Sequence, residues 1–402
     1  MFLILATAFL DILWMSLFLP MLPSIIADFW VNPSWSGYTQ AVYACGMFVG
    51  GLFFWKLSDI HGRKKILSFT SIINFLSYII MLVSIWKLTD SLGTASLVSE
   101  SIDVSTSTTE VFHGFTVMFV LFLVARFVGW LGGSGFGVIQ AYISDISSPQ
   151  EKTKNMGLMG AAFGLAFLIG PALSGVLSQI VSIHTILILC SVIIALNVIS
   201  IWIFLQEPKK HVHTEEIHLA DFHFSHTVVV LLILSCGATL AFSAVQSMSG
   251  QFYADRFHFD ITQIGYTMAM VGFIAIVYQW LLIKHIRAYF NEVMMIRLAF
   301  LVLVIGFIWL ALNNDRYILF FWIALFPIGM WAFNPSIGSL IAQKAGKEVG
   351  KVMWYNTSVQ SIWQIFWPIL AGMLYGINIG LPFLVSAGIF WILFFIALWG
   401  LS

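Results

Sequence analysis

The sequence predicts an all-α membrane protein, with twelve transmembrane helices arranged as two pseudo-symmetric six-helix bundles. Three observations carry this prediction. The 402 residues are 60% hydrophobic and 9% charged, more apolar surface than a water-soluble domain can bury. The apolar runs have the length of roughly 20 residues that a helix needs to cross a bilayer, and they do not alternate as barrel strands do. One half of the chain also repeats the other.

The runs fall at 2–23, 36–57, 66–86, 115–144, 156–178, 185–206, 227–249, 261–284, 294–312, 317–343, 352–376 and 380–401. The first begins at the second residue and carries Asp11 and two prolines. It reads as a retained helix and not as a cleaved signal. The second and third are joined by a dense charge block, "KLSDIHGRKK". Residues 87–114, between the third and fourth, are Ser/Thr-rich and acidic, and are expected to form a mobile outer loop. Residues 207–226, between the sixth and seventh, are expected to be a linker separating bundle 1–206 from bundle 227–402. That linker holds His211, His213, His218, His223 and His226. Their spacing matches no closed zinc pattern and no cysteine accompanies them, so a solvated linker is expected and no metal site. Cys45, Cys190 and Cys236 all lie in apolar runs and read as small buried hydrophobes.

Cations set the expected orientation. With the amino terminus inside, Lys56, Arg63, Lys64, Lys65, Lys152, Lys154, Lys209, Lys210, Lys284, Arg287, Arg297, Lys344, Lys347 and Lys351 all fall on the cytoplasmic side. Only Lys87, Arg256 and Arg316 fall outside. Both termini are therefore expected in the cytoplasm.

The repeat is visible without a gap. Residues 151–175, "EKTKNMGLMGAAFGLAFLIGPALSG", align with 348–372, "EVGKVMWYNTSVQSIWQIFWPILAG". Glu151 meets Glu348, Met156 meets Met353, Pro171 meets Pro368 and Gly175 meets Gly372. Two six-helix repeats with a substrate path between them are a common plan for secondary transporters.

Several motifs resemble those of the major facilitator superfamily. "SDIHGRKK" is similar to its cytoplasmic signature, matched at Asp59, Gly62, Arg63, Lys64 and Lys65. "FLDILWMSLFLPMLP" resembles its first-helix motif. "ARFVGWLGGSG" resembles its fourth-helix motif on a membrane arginine, although Gly129 stands where glutamine is usual. "GAAFGLAFLIGPALSG" resembles the fifth-helix antiporter motif, matched at Gly160, Gly164, Gly170, Pro171 and Gly175. "AYISDI" resembles the tetracycline and multidrug proton antiporters. The resemblance implies that Asp59, Arg63 and Asp145 form a cytoplasmic latch, tying the helix two–three turn to neighbouring helix ends. Positive-inside topology alone explains Lys64 and Lys65, but not Asp59, Gly62 and Arg63 together.

Asp11 and Arg126 are the ionisable side chains placed well inside spans. Charge there is costly and usually functional. A carboxylate whose water access and distance from an arginine change between two states binds and releases a proton. The alternative is a static Asp11–Arg126 brace between helices one and four. The second half carries no clear membrane carboxylate. Its polar groups Gln246, Gln279, Asn334, Asn356, Gln360 and Gln364 suit an amphipathic ligand held by a few hydrogen bonds. Each of them could equally bridge helices.

The tryptophans break the pattern. Trp55 stands where the signature wants glycine, and Trp354 and Trp367 align with Gly157 and Gly170. Trp280 falls in a weak second copy of the charge motif. Trp14, Trp130, Trp331 and Trp363 interrupt small-residue patterns, and Trp30 sits in a turn. Overpacking a well-packed site costs about 1–3 kcal/mol. The pattern fits UGA codons that the organism reads as glycine. Trp35, Trp86, Trp202, Trp309, Trp322, Trp391 and Trp399 fit lipid-facing or interfacial positions.

The expected function is a proton-coupled antiporter that exports small amphipathic or hydrophobic compounds. It is expected to work as a monomer in a bacterial cytoplasmic membrane. The expected partners are a small-molecule substrate, protons and the lipid bilayer, with neither a cofactor nor nucleic acid. The alternatives are a metabolite uniporter or symporter, and a non-transporting sensor or scaffold on the same fold. No nucleotide-binding loop, metal cluster or nucleophile constellation points to an enzyme.

Overall fold

The computed structural model describes residues 1–98, 104–148, 151–208, 225–345 and 349–401. Ten of its helices are long and apolar enough to cross a membrane, and Ile261–Val277 and Ile362–Ile377 are shorter apolar helices. These are the twelve expected spans. Backbone polar groups have no water partner in a bilayer core, so each run bonds to itself as a helix.

The first span is α1 (Phe2–Phe18), a 3₁₀ turn at Leu19–Met21 and α2 (Leu22–Asp28). Pro20 and Pro23 stand at the starts of the turn and of α2, where a missing N–H costs nothing. The second and third spans are α3 (Trp35–His61) and α4 (Arg63–Val98). The fourth is α5 (Val104–Gly133) followed by α6 (Gly135–Ile146). It breaks at Ser134, inside a Gly-rich run of low helix propensity. Then come α7 (Lys152–Leu177), α8 (Ile183–Phe204) and α9 (His226–Phe257). The eighth span is α10 (Ile261–Val277), a π-helical turn at Tyr278–Leu282 and α11 (Ile283–Tyr289). The last four are α12 (Glu292–Leu312), α13 (Arg316–Ala345), α14 (Val349–Ile377) and α15 (Leu381–Gly400). Ser182, Ser225 and Asn291 cap α8, α9 and α12, each accepting from a backbone N–H three residues on.

Two expectations need correction. Residues 87–98 and 104–114 are not a loop; they extend α4 and α5 as helix. Once a span nucleates a helix, each added residue costs little, and the Ser/Thr-rich segment holds no proline to stop it. Likewise α9 runs to Phe257, past the expected end at 249, which places Asp255 inside the helix. Most of the linker, with His211, His213, His218 and His223, lies outside the described residues.

The chain divides into two compact units. One holds Met1–Trp35, Val42–Val212 and Ile261–Gly265; the other holds Ser36–Ala41, His213–Asp260 and Tyr266–Ser402. The first unit buries Leu17, Phe18, Tyr78, Phe122, Cys190 and Ile194. The second buries Phe252, Phe300, Phe307, Phe333, Phe383 and Phe390. Trp322, expected at lipid or interface, is instead 1% exposed and stacks on Phe326. Cys190 is buried as expected; Cys45 and Cys236 are only half-buried.

The suspect tryptophans differ in their surroundings. Trp14 and Trp367 are buried with indole N–H groups that find no acceptor. Trp130 lies 3.5 Å from Tyr43 between ring centroids, closer than the roughly 4.5–7 Å of ordinary aromatic pairs. Trp331 is half-buried and Trp363 is 39% exposed, so overpacking does not account for these two. The side chains of Trp55, Trp280 and Trp354 lie outside the described residues. Trp30 differs from all of these. It is exposed, but its φ is +56°, and its N–H donates to the Ala27 carbonyl just past the end of α2. That is the left-handed position after a helix that glycine normally takes. A side chain there costs about 1–2 kcal/mol. Trp30→Gly is therefore expected to raise the apparent melting temperature of the purified protein in detergent, and sequencing the gene is expected to find UGA at this codon. A lower melting temperature would show that the exposed indole contributes more than the strain it imposes.

Candidate functional site

Arg126 is carried into the first unit by close helix contact. A Cβ on Gly132 of α5 would lie 2.5 Å from the Thr70 carbonyl oxygen of α4. A Cβ on Gly46 of α3 would collide with the Phe127 carbonyl oxygen of α5. Glycine at these two points lets α3 and α4 close on α5, which turns Arg126 into the interior, 6% exposed. Its Cζ lies 5.0 Å from the Phe18 ring centroid and 4.7 Å from that of Tyr43. Such cation–π contacts stabilise a desolvated cation by about 2 kcal/mol. They supply no hydrogen-bond acceptor. The Nε and Nη2 atoms are buried and unpartnered, and so is the Tyr78 hydroxyl. A buried donor without an acceptor costs about 1–3 kcal/mol, and more when charged.

Asp11, on α1 in the same unit, is only partly buried. Its Oδ1 accepts from Asn197 Nδ2 of α8 at 2.9 Å. Among the described residues no ion pair joins Asp11 to Arg126, so the static brace is not formed. The reason is axial distance. Arg126 sits beside Phe18, seven residues along α1 from Asp11, or about 10 Å at 1.5 Å per residue. Asn197 was not expected from the sequence, because a single amide in an apolar run carries no motif. Its side chain is fully buried, and its Oδ1 has no partner.

The expected latch residues do come together. Arg63 pairs with Asp59 and, through Nε, with Asp145 at 2.9 Å. Its Nη1 also donates to Ser58 Oγ. Arg63 and Asp145 have side chains only 10% exposed, whereas Asp59 is 45% exposed. The Asp145 pair is therefore the one shielded from solvent, and an exposed pair such as Arg63–Asp59 contributes less. A further partner was missed. Glu207, just beyond α8, accepts from the backbone N–H groups of Arg63 and Lys64 and caps α4. Gly62 makes this possible in two ways: its φ is +103°, and a Cβ there would lie 2.8 Å from the Glu207 carboxylate. Lys64 thus contributes its main-chain N–H to the cap.

The Gly-Pro segment of α7, expected to be an antiporter motif, forms a close helix contact. A Cβ on Gly265 of α10 would collide with the Pro171 carbonyl, and Gly175 lies against Thr262. The second repeat does the same within its own unit: a Cβ on Gly37 would collide with the Pro368 carbonyl and approach Gly372. Gly170 sits against Ser16, with no room for a Cβ. Its repeat counterpart is the buried Trp367. Gly160 faces open space, so packing does not explain it. Gly164 lies half-buried in α7.

The expected polar residues of the second half are not drawn into one cluster. Gln360 Nε2 donates to Ser235 Oγ at 2.8 Å, and the buried Asn356 lies 4.0 Å from Cys236 Sγ. Gln246 and Asn334 are exposed, while Gln279 and Gln364 are half-buried. The strongest polar network in that unit was missed. Asp255 accepts from Tyr375 Oη at 2.7 Å and from Gln251 Nε2 at 2.9 Å. The Gln251 Oε1 in turn accepts from Ser36 at 3.0 Å. The sequence signal was present, since the acidic residue lies four positions after Gln251, but the helix was expected to end before it.

Glu207→Ala is expected to cost about 0.5–2 kcal/mol, as loss of a helix cap does. Arg63→Ala and Asp59→Asn are expected to impair transport more than Lys65→Ala in a vesicle flux assay. Equal, mild effects from Arg63→Ala, Asp59→Asn and Lys65→Ala would leave charge topology as the only role of this turn.

The profile of the Major Facilitator Superfamily matches residues 4–368. Multidrug resistance protein 1 of Bacillus subtilis (strain 168) is 21% identical over 392 residues, spanning 94% of this chain and 90% of that protein. The quinolone resistance protein NorA of Staphylococcus aureus (strain COL) is 23% identical, spanning 95% and 91%. The crystal structure of a D-xylose–proton symporter superposes with a TM-score of 0.72 at 14% identity, covering 97% of each chain. Membership of this family makes the chain a multi-pass membrane transporter and not an enzyme. The twelve spans, the charge signature and the family match over residues 4–368 place this chain in the major facilitator superfamily.

Proposed function

We propose that this transporter is a proton-coupled antiporter that exports small amphipathic or hydrophobic compounds by alternating access. It works as a monomer in a bacterial cytoplasmic membrane with both termini inside. Residues 1–206 and 227–402 act as two bundles, joined by 207–226. The observation that carries this reading is Asp11, a carboxylate inside a span held by one amide hydrogen bond and, among the described residues, by no ion pair. Such a group can gain and lose a proton without breaking a salt bridge. In the coupling cycle Arg126 is its charge neighbour, and their separation is the quantity that changes between states. The Arg63–Asp59–Asp145 latch with its Glu207 cap holds one of those states. Gln246, Gln279, Asn334, Asn356, Gln360 and Gln364 are proposed to line the substrate path. Relatives named for multidrug and quinolone resistance support export of drug-like compounds.

The test is a compound screen in proteoliposomes, with the proton gradient on and off. Substrate-induced proton release is expected. Flux that ignores the gradient would make the protein a uniporter, and binding without flux would make it a sensor. Asp11→Asn keeps size and polarity but removes the titrating group. It is expected to abolish gradient-driven accumulation while substrate still binds. Full gradient-driven transport by that variant would eliminate Asp11 as the coupling site.

A further inference from the structure

We infer that Arg126, with Tyr78, is a recognition subsite for a carboxylate on the transported compound. The inference deepens the transport reading and rests on it. Three observations carry it. First, the two unpartnered nitrogens are not an arbitrary pair. Nε and Nη2 share the side-on edge of the guanidinium, and their N–H bonds run parallel, at the spacing of the two oxygens of a carboxylate. Second, the surroundings hold the cation without supplying an acceptor. Phe18 and Tyr43 present ring faces to it, and the Tyr43 hydroxyl is directed to the Met15 thioether at 2.8 Å. Third, Tyr78 adds a free hydroxyl donor. It is 3% exposed, it packs on Phe18 at 6.4 Å between centroids, and it lies within electrostatic reach of the guanidinium.

Among the described residues, no anion bonds to this edge. Asp11 is bonded to Asn197, and Asp59 and Asp145 are held by Arg63. A carboxylate would therefore supply what the interior lacks: one negative charge and acceptors for three buried donors. The apolar part of such a compound would meet Phe18, Tyr43 and Trp14. The three donors belong to Arg126 and Tyr78 and not to the suspect tryptophans, whereas Trp14 forms part of the apolar wall, which a glycine at that codon would remove.

The test uses the purified full-length protein in detergent, with benzoate and its neutral isostere benzamide as probes and chloride as the ionic-strength control. Benzoate is expected to raise the apparent melting temperature in a saturable way, while benzamide and chloride do not. Arg126→Gln is expected to weaken benzoate binding at least tenfold, and Tyr78→Phe several-fold, with Arg126→Lys keeping part of the response. Equal protection by benzoate and benzamide, protection by chloride as strong as that by benzoate, or a full benzoate response in Arg126→Gln would overturn the inference. If Arg126→Gln fails to fold, the probe comparison on the parent protein and on Tyr78→Phe decides. Benzoate-selective binding without proton-coupled flux would support the subsite and remove the antiport reading. Proton-coupled flux of other compounds without benzoate selectivity would keep antiport and overturn the subsite.

Discussion

A bilayer core offers no hydrogen bonds, and most of this molecule follows from that constraint. It makes each apolar run a helix, because only a helix bonds its own backbone. It also makes every interior charge expensive, so the few that occur must be enclosed by protein. Arg126 is enclosed by aromatic rings, and Asp11 is held by an amide. Each therefore depends on helices that approach closely enough to exclude lipid.

Close approach in turn depends on residues without side chains. Gly46 and Gly132 let α3 and α4 meet α5 around Arg126. Gly265 and Gly37 do the same for the two repeated proline segments, each against the carbonyl of the proline. The repeat in the sequence thus becomes a repeated contact in space. Bulky residues within such a scheme stand out. Trp367 occupies the repeat position of Gly170, where Ser16 leaves no room for a Cβ, and Trp30 holds a backbone conformation suited to glycine.

The charge cluster around Arg63 shows how local and distant residues share one network. Asp59, Gly62 and Arg63 lie within one short motif, and the reach from residue 59 to residue 63 is a single helical turn. Asp145 and Glu207 come from two other helix ends, and they set the shielded part of the network. The exposed Asp59 pair alone would be screened and weak.

The sequence by itself determined the class, the spans, the signature and the family, because hydrophobic run length and short-range motifs are local properties. It also identified Asp11, Arg126, Arg63 and Asp145, since charge inside or beside a span is conspicuous anywhere along the chain. Tertiary structure alone decided the partners. Asn197 reaches Asp11 from 186 positions away, and Glu207 reaches Arg63 from 144. Neither has a motif, because an amide or carboxylate becomes a partner only when packing delivers it. The same holds for Asp255, whose role follows from how far α9 extends and from Tyr375 arriving on α14. Tertiary structure likewise separated Asp11 from Arg126, because the height at which α5 meets α1 depends on side-chain packing between helices, which no single segment encodes.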